Sequence, residues 1–330
     1  MRAKVLLSLL GAWLLVWLSA CGQPSPSKSG GSNGKTAHVI RIGYQKNGPL
    51  IMLKELGTLE KRLEPLGYRV EWSEFQAGPA LLEALNAGSI DFGRTGDSPP
   101  IFAQAAGSSL VYLAAGNSKA RGSAILVKAD SPIQTIADLK GKTVGFAKGS
   151  SSHFLLIQAL AKAGLSYGEI KPAFLAPGDA RVAFEQGDID AWVVWDPFAA
   201  DAERSGGARV LTNGEGLTSD RDFFLASASF AREHEALLKV VLEEVQKACD
   251  WVNTHHDEAA AMLTEILGID QEAVRMALER RVYGIGPMTD EIINEQQQIA
   301  ATFYELGIVP TKVNIQENIF VWSENVFTWN

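Results

Sequence analysis

Two stretches of this chain recur at a nearly constant distance, and that repeat limits the fold more than any other feature. Ile42-Gly43-Tyr44-Gln45-Lys46 is matched by Val144-Gly145-Phe146-Ala147-Lys148, 102 residues later (42 against 144). "ALNAGSIDFGRTGD", residues 84–97, is matched by "AFEQGDIDAWVVWD", residues 183–196, 99 residues later. Ala84, Gly88, Ile90, Asp91 and Asp97 correspond in type to Ala183, Gly187, Ile189, Asp190 and Asp196. Each copy reads as a helix ending at a glycine able to turn left-handed. A short strand carrying Ile-Asp follows. Asp97-Ser98-Pro99 and Asp196-Pro197 then read as helix starts, a capping carboxylate ahead of proline. Two similar α/β halves make two lobes with a cleft between them, each holding a mainly parallel sheet. Ligands of open α/β sheets collect at the carboxyl ends of the strands. Four loops therefore face the cleft: Gln45–Pro49, Arg94–Pro99, Lys148–His153 and Trp192–Pro197.

The spacing predicts a first lobe from residues 38–124, a second lobe from 125–224, and a return to the first lobe over 225–330. Beyond 225 the pattern is almost wholly helical in period, as in "AREHEALLKVVLEEVQKACDWVNTH". Ser123–Val127 and Phe224–Ser227 are short strand-like runs at the two borders and read as the crossovers between lobes.

Residues 1–37 stand apart. Arg2 and Lys4 precede an apolar run of 14 residues, Val5 to Leu18, which is too short to span a bilayer comfortably. Leu18-Ser19-Ala20-Cys21-Gly22 follows and resembles a bacterial lipoprotein signal, in which the cysteine becomes the acylated N-terminus. Residues 21–37 are rich in Gly, Ser, Pro and Lys and read as a flexible tether. Removal of residues 1–20 leaves 310, with 28 basic residues against 38 acidic, a formal charge of −10. That acidity argues against a nucleic-acid partner, since phosphate binding favours basic patches. With Cys21 acylated, only Cys249 remains, so no intramolecular disulfide forms.

Catalytic signatures are missing. There is no Gly-x-Ser-x-Gly elbow, no phosphate-cradling Gly-rich loop and no His-Glu-x-x-His. His255 and His256 are adjacent on a helical pattern, about 100 degrees apart, and chelate poorly. No metal, cofactor or catalysis is expected.

"KTVGFAKGSSSHFLL", residues 142–156, sets Ser150, Ser151, Ser152 and His153 between a buried strand and a helix. A strand-to-helix turn gathers unpaired N–H groups at the positive end of a helix dipole, which suits an anion. Capping alone would explain one serine, not three. Lys46, Arg94, Lys148 and His153 can add positive charge, and Gln45 and Thr95 hydrogen bonds. Trp192, Trp195 and Phe198 add flat apolar surface. The two tryptophans would point to opposite faces of a strand, so one packs in the core and the other reaches the cleft.

"RIGYQK", "GPALLEALNAGSIDFGRTGDSPPIFAQAAG", "SPIQTIADLKGKTVGFAKGSSSHFLL", "APGDARVAFEQGDIDAWVVWDPF" and "FYELGIVPTKVNI" together resemble the aliphatic sulfonate-binding proteins of bacterial ABC importers, from about residue 38 to about 320. The resemblance implies a type II periplasmic-binding-protein fold, closure on ligand, and delivery to a membrane permease with its ATPase. It carries ligand contacts onto Gln45, Thr95, Gly96, Asp97, Ser150, Ser151, Ser152, His153, Asp179, Trp192, Trp195 and Asp196. A sulfonate has three oxygens and one fixed negative charge, which three hydroxyls and the amides of a helix start would match. The protein is then a monomeric, lipid-anchored, exported binding protein for alkanesulfonates. The alternatives are taurine, nitrate or another small anionic nutrient, for which Asp97 or Asp196 could meet an ammonium. A further alternative is a thiamine-pyrimidine-precursor protein on the same fold, which the export signal disfavours.

Overall fold

A computed structural model describes residues 38–205 and 207–328. The expected signal, tether and Cys21 lie outside the described residues. The first lobe runs β1 (His38–Tyr44), α1 (Pro49–Leu56), α2 (Thr58–Leu63), β2 (Tyr68–Glu74), α3 (Gly78–Asn86), β3 (Phe92–Thr95), α4 (Ser98–Ala105) and β4 (Leu110–Gly116). The second runs β5 (Ser123–Lys128), β6 (Thr143–Phe146), α5 (Ser151–Lys162), β7 (Lys171–Phe174), α6 (Pro177–Gln186), β8 (Ala191–Trp195), α7 (Phe198–Arg204) and β9 (Ala208–Asn213). The chain returns through β10 (Phe223–Ser227), α8 (Ala228–Glu233), α9 (Glu235–Thr254), α10 (His256–Leu267), α11 (Gln271–Glu279), β11 (Ile285–Gly286) and α12 (Asp290–Glu305).

The sheets are ordered β11-β4-β10-β3-β1-β2 and β7-β6-β8-β5-β9, so the repeat is structural as well as sequential. β2-β1-β3 and β7-β6-β8 are parallel trios. In both copies the helix before the last strand of the trio ends at a left-handed glycine, Gly88 at φ 71° and Gly187 at φ 82°. In both, the aspartate after it accepts the amide at the same place, Arg41 N–H on Asp91 and Thr143 N–H on Asp190, each at 2.8 Å.

Neither sheet is as parallel as the repeat suggests. β5 pairs antiparallel with β8 and β9, and β10 antiparallel with β3 and β4. These are the crossover strands. Ser123 pairs with Trp195 and Phe223 with Thr95, so each crossover enters at the carboxyl end of the parallel strands and must run the other way. Residues 124 and 225 fall inside β5 and β10.

The helical tail packs on the first lobe as expected. Leu238, Val241, Leu242 and Val245 of α9 join Leu50, Leu53 and Ile42 in one apolar cluster, and Phe303 of α12 meets Phe102 of α4 edge to face. The tail also touches the second lobe. Ala273 and Ala277 of α11 pack on Ala200 of α7, small residues that allow close helix approach.

Candidate functional site

The four strand-end loops converge, as their places after β1, β3, β6 and β8 require. Gln45, Arg94, Gly96, Ser150, Ser151 and Trp195 line a cavity of about 30 Å³ with Asn47, Gly78, Pro99, Lys119 and Asp220. The space admits a compact group only. Gly96 leaves room for the Ser151 hydroxyl, which a β-carbon there would force to turn aside.

Arg94 is a cation of its wall, buried at 3% exposure. Its NH1 donates to Asn47 Oδ1 at 2.6 Å and its NH2 to Asp222 Oδ1 at 2.5 Å, while its Nε has no hydrogen-bond partner. Gly48, at φ 76°, passes over the guanidinium so closely that any side chain would strike it. Gln45 fixes the strand end by donating to the Arg94 carbonyl at 3.1 Å.

A second cation comes from the crossovers. Lys119, just before β5, donates to Asp220 Oδ1 at 2.5 Å, and Ser123 Oγ donates to Asp220 Oδ2 at 2.5 Å. Arg281, after α11, donates to Asp222 Oδ2 at 2.7 Å. Burial pushes the Asp222 carboxyl up, but Arg94, Arg281 and Lys119 outweigh it and hold the group well below the usual carboxylate range. Lys119, Asp220, Asp222 and Arg281 are absent from the residues picked out by sequence, and Asn47 lies in the Gln45–Pro49 loop expected at the cleft without being singled out.

The three serines do not act together. α5 starts at Ser151, and successive residues diverge by about 100 degrees around a helix. Ser150 is the N-cap residue by backbone, yet its hydroxyl donates back to the Ala147 carbonyl at 2.7 Å and caps nothing. Ser151 faces the cavity beside Gly96 and Asp97. Ser152 is fully buried, lines no part of this cavity, and its hydroxyl has no partner. The amides of Ser151 and Ser152, in the first turn, have no intrahelical acceptor.

His153 corrects the expectation of a positive charge and a ligand contact at the cleft. Two residues beyond Ser151, it points to the far side of α5. It packs among Phe146, Phe102, Phe303 and Tyr167, with Nε2 3.1 Å from the Tyr167 hydroxyl. The Gly149 amide donates to Nδ1 at 3.4 Å, which leaves the proton on Nε2. Burial and then Lys148 push its pKa down to about 4, so the ring is neutral.

The remaining candidates divide. Trp195 reaches the cavity and Trp192 is core, packed on Phe184, as alternation on β8 demands. Thr95 is wholly buried and its hydroxyl donates to the Gly96 carbonyl at 3.0 Å. Asp97 does not cap α4. Its backbone is already helical, φ −69° and ψ −43°, so its carboxylate accepts the neighbouring Ser98 hydroxyl instead. Burial and then the Asp220 charge raise its pKa to about 6. Asp196 accepts the Ala200 amide at 3.0 Å in the first turn of α7 and is gripped by Arg280 at 3.2 Å. Burial raises it too, to about 6, against the pull of Arg280. Asp179 is exposed in the first turn of α6 and away from the cavity wall. Lys46 is half exposed and pairs with Glu74 at 3.4 Å, and Lys148 lies over the Phe174 ring.

A second cavity, of about 200 Å³, shares Gln45, Asn47 and Trp195 with the first and opens beside it. Among the described residues no group of three His, Cys, Asp or Glu side chains could hold a metal ion, and no helix is long and apolar enough to cross a membrane.

Residues 33–268 match the model of the NMT1-like family. A relative from Escherichia coli K12 described as an aliphatic sulfonates-binding protein is 42% identical over 93% of this chain and 96% of its own length. The alkanesulfonate-binding protein SsuA from Xanthomonas axonopodis pv. citri, solved bound to MOPS, is 39% identical and superposes with a TM-score of 0.83 over 86% of this chain and 98% of its own. The periplasmic aliphatic sulphonate binding protein SsuA from Escherichia coli is 43% identical, with a TM-score of 0.78 over 86% and 97%.

Proposed function

Since this chain belongs to the NMT1-like family and, within it, to the aliphatic sulfonate-binding proteins of ABC importers, we propose that it captures an alkanesulfonate head group in the small cavity between its lobes. One observation carries the reading. Ser151, at the N-terminus of α5 on the second lobe, faces Arg94 and Lys119 of the first across a cavity sized for one compact anion. Helix-terminal amides opposite a guanidinium and an ammonium suit a fixed negative charge. Gln45, Asn47, Gly96, Ser150 and Trp195 complete the wall.

The bound anion is passed to a membrane permease driven by its ATPase, and no chemistry is performed on it. His153 supports this negative part, because the base nearest the serines is turned away from them and hydrogen-bonded to Tyr167. The protein works as an exported monomer anchored through acylated Cys21, with the first lobe over 38–124 and 225–330 and the second over 125–224. Mass analysis of membrane-extracted protein should find residues 1–20 gone and Cys21 modified.

Binding to the folded state raises apparent stability with ligand concentration. A thermal-shift and calorimetric panel of alkanesulfonates, taurine, sulfate and nitrate should show saturable stabilisation by alkanesulfonates above the rest. Stabilisation by nitrate or sulfate alone would overturn the assignment.

A further inference from the structure

We infer that binding of an alkanesulfonate is coupled to the uptake of one proton by Asp97, so that this carboxyl sets the charge of anion the cavity accepts. The inference rests on the sulfonate-binding reading. Asp97 is buried at 1% exposure, directly after Gly96 of the cavity wall, with the wall residue Ser151 beside its carboxyl. Its Oδ1 accepts the Ser98 hydroxyl at 2.9 Å, and its Oδ2 has no hydrogen-bond partner. The Asp220 carboxylate and the Lys119 ammonium, both of the cavity wall, face it. Gln296 of α12 donates to its backbone carbonyl at 2.6 Å, and Tyr112 of β4 lies behind as a neutral phenol, its pKa raised by burial.

Charge counting gives the proton its place. Lys119 is bonded to Asp220 at 2.5 Å and lies 3.8 Å from Asp222, which also takes Arg94 at 2.5 Å and Arg281 at 2.7 Å. Lys46, further out, is matched by Glu74. With Asp97 ionised, Arg94, Lys119 and Arg281 meet three carboxylates, and an entering sulfonate finds no net charge to offset its own. It also meets a buried carboxylate of like sign, and like charges in one site disfavour the ionised form. Asp97 is the member that yields. Against burial, three cations hold Asp222 well below the usual carboxylate range, and Asp220 is bonded to Lys119 and Ser123. Burial and then Asp220 already raise Asp97 to about 6. One proton from solvent on Asp97 Oδ2 leaves a single net positive charge, which suits a monoanion. A dianion such as sulfate would leave one charge unmatched. Binding therefore takes up a proton above about pH 6, and affinity falls as pH rises, about tenfold per pH unit for a whole proton taken up.

The test is calorimetry of ethanesulfonate on the full folded chain across the neutral range, in pairs of buffers that differ in ionisation enthalpy. Near about pH 7 the wild-type protein should take up roughly half a proton or more per ligand, with affinity about tenfold weaker at about pH 7.5 than at about pH 6. Asp97→Asn, which keeps the shape and removes the titration, should cut the uptake to near zero and flatten the pH profile of affinity. Independently of any variant, the infrared carbonyl band of a protonated carboxyl should appear in the wild-type protein when ligand is added at about pH 7.5. Proton uptake that persists in Asp97→Asn would overturn the inference, as would the absence of that band. If no alkanesulfonate binds at any pH, the binding function itself fails. If ethanesulfonate binds with no proton uptake and a flat pH profile, only the role of Asp97 fails.

Discussion

The δ-methyl of Ile189 occupies the space where a side chain on Gly145 would begin, and Ile90 covers Gly43 in the same way. This is the physical content of the repeat. The isoleucine ahead of the last parallel strand closes over a glycine towards the carboxyl end of the neighbouring strand, and within each pair the isoleucine fills the room the glycine leaves. Gly145→Ala should therefore destabilise the protein by about 1–3 kcal/mol through overpacking. Ile189→Ala alone should also destabilise, by leaving a cavity, about 2–5 kcal/mol. The double variant should lose clearly less than the sum of the two. Additive losses in urea melts would show that the two residues do not share this space.

The serines separate by the same reasoning. Ser151→Ala removes a hydroxyl from the head-group cavity and should weaken alkanesulfonate binding by about 1.5–3 kcal/mol. Ser152→Ala removes a buried hydroxyl that has no partner and should leave affinity unchanged. It should also hold or raise the melting temperature, because an unsatisfied buried polar group costs about 1–3 kcal/mol. Equal losses of affinity in both variants would mean that the two hydroxyls face the ligand together.

Much of the site is legible in the chain because it is built from repeated strand ends. Gln45, Gly96 and Ser151 come after a strand, and Arg94 and Trp195 lie at a strand's carboxyl end, each within one of two matching halves. What escapes is carried by the crossovers. Lys119, Asp220 and Asp222 lie in short loops without periodicity, and only tertiary packing decides that they are buried. A signal does exist, in that "SKARGS" and "SDRDF", residues 118–123 and 219–223, set clustered charge just before each crossover strand. Helix phase accounts for the other misses. Ser152 and His153 are neighbours of Ser151 in sequence but turn about 100 and 200 degrees away from it.

The buried His153 ring gives the protein a pH response of fixed sign. Its folded pKa is lowered to about 4 from 6.5, so between these values the unfolded chain binds the extra proton. Stability from this residue is therefore complete above about pH 6.5 and lost as pH falls towards 4, by up to about 3 kcal/mol. Asp97 and Asp196 act in the opposite sense, since their raised values make the folded state bind protons between 3.8 and about 6. His153→Phe should remove the histidine's part of the slope between pH 6.5 and 5. Proton resonances of the ring that titrate near 6.5 in the native protein would contradict its burial.

Arg280 bridges the lobes away from the head-group cavity. It follows α11 of the C-terminal tail and grips two acids of the second lobe, Asp196 at 3.2 Å and Glu203 at 2.8 Å, beside the alanine seam between α11 and α7. A contact made only when the lobes are together shifts the population towards closure without touching ligand. Arg280→Gln should leave the cavity residues in place yet raise the open fraction, and apparent affinity falls in proportion to the closed fraction that remains. The expected loss is several-fold in affinity, shared by every alkanesulfonate tested, with faster release and a larger radius of gyration before ligand is added. An affinity loss that depends on the sulfonate's tail, with no change in scattering, would place Arg280 among the ligand contacts instead of at the latch.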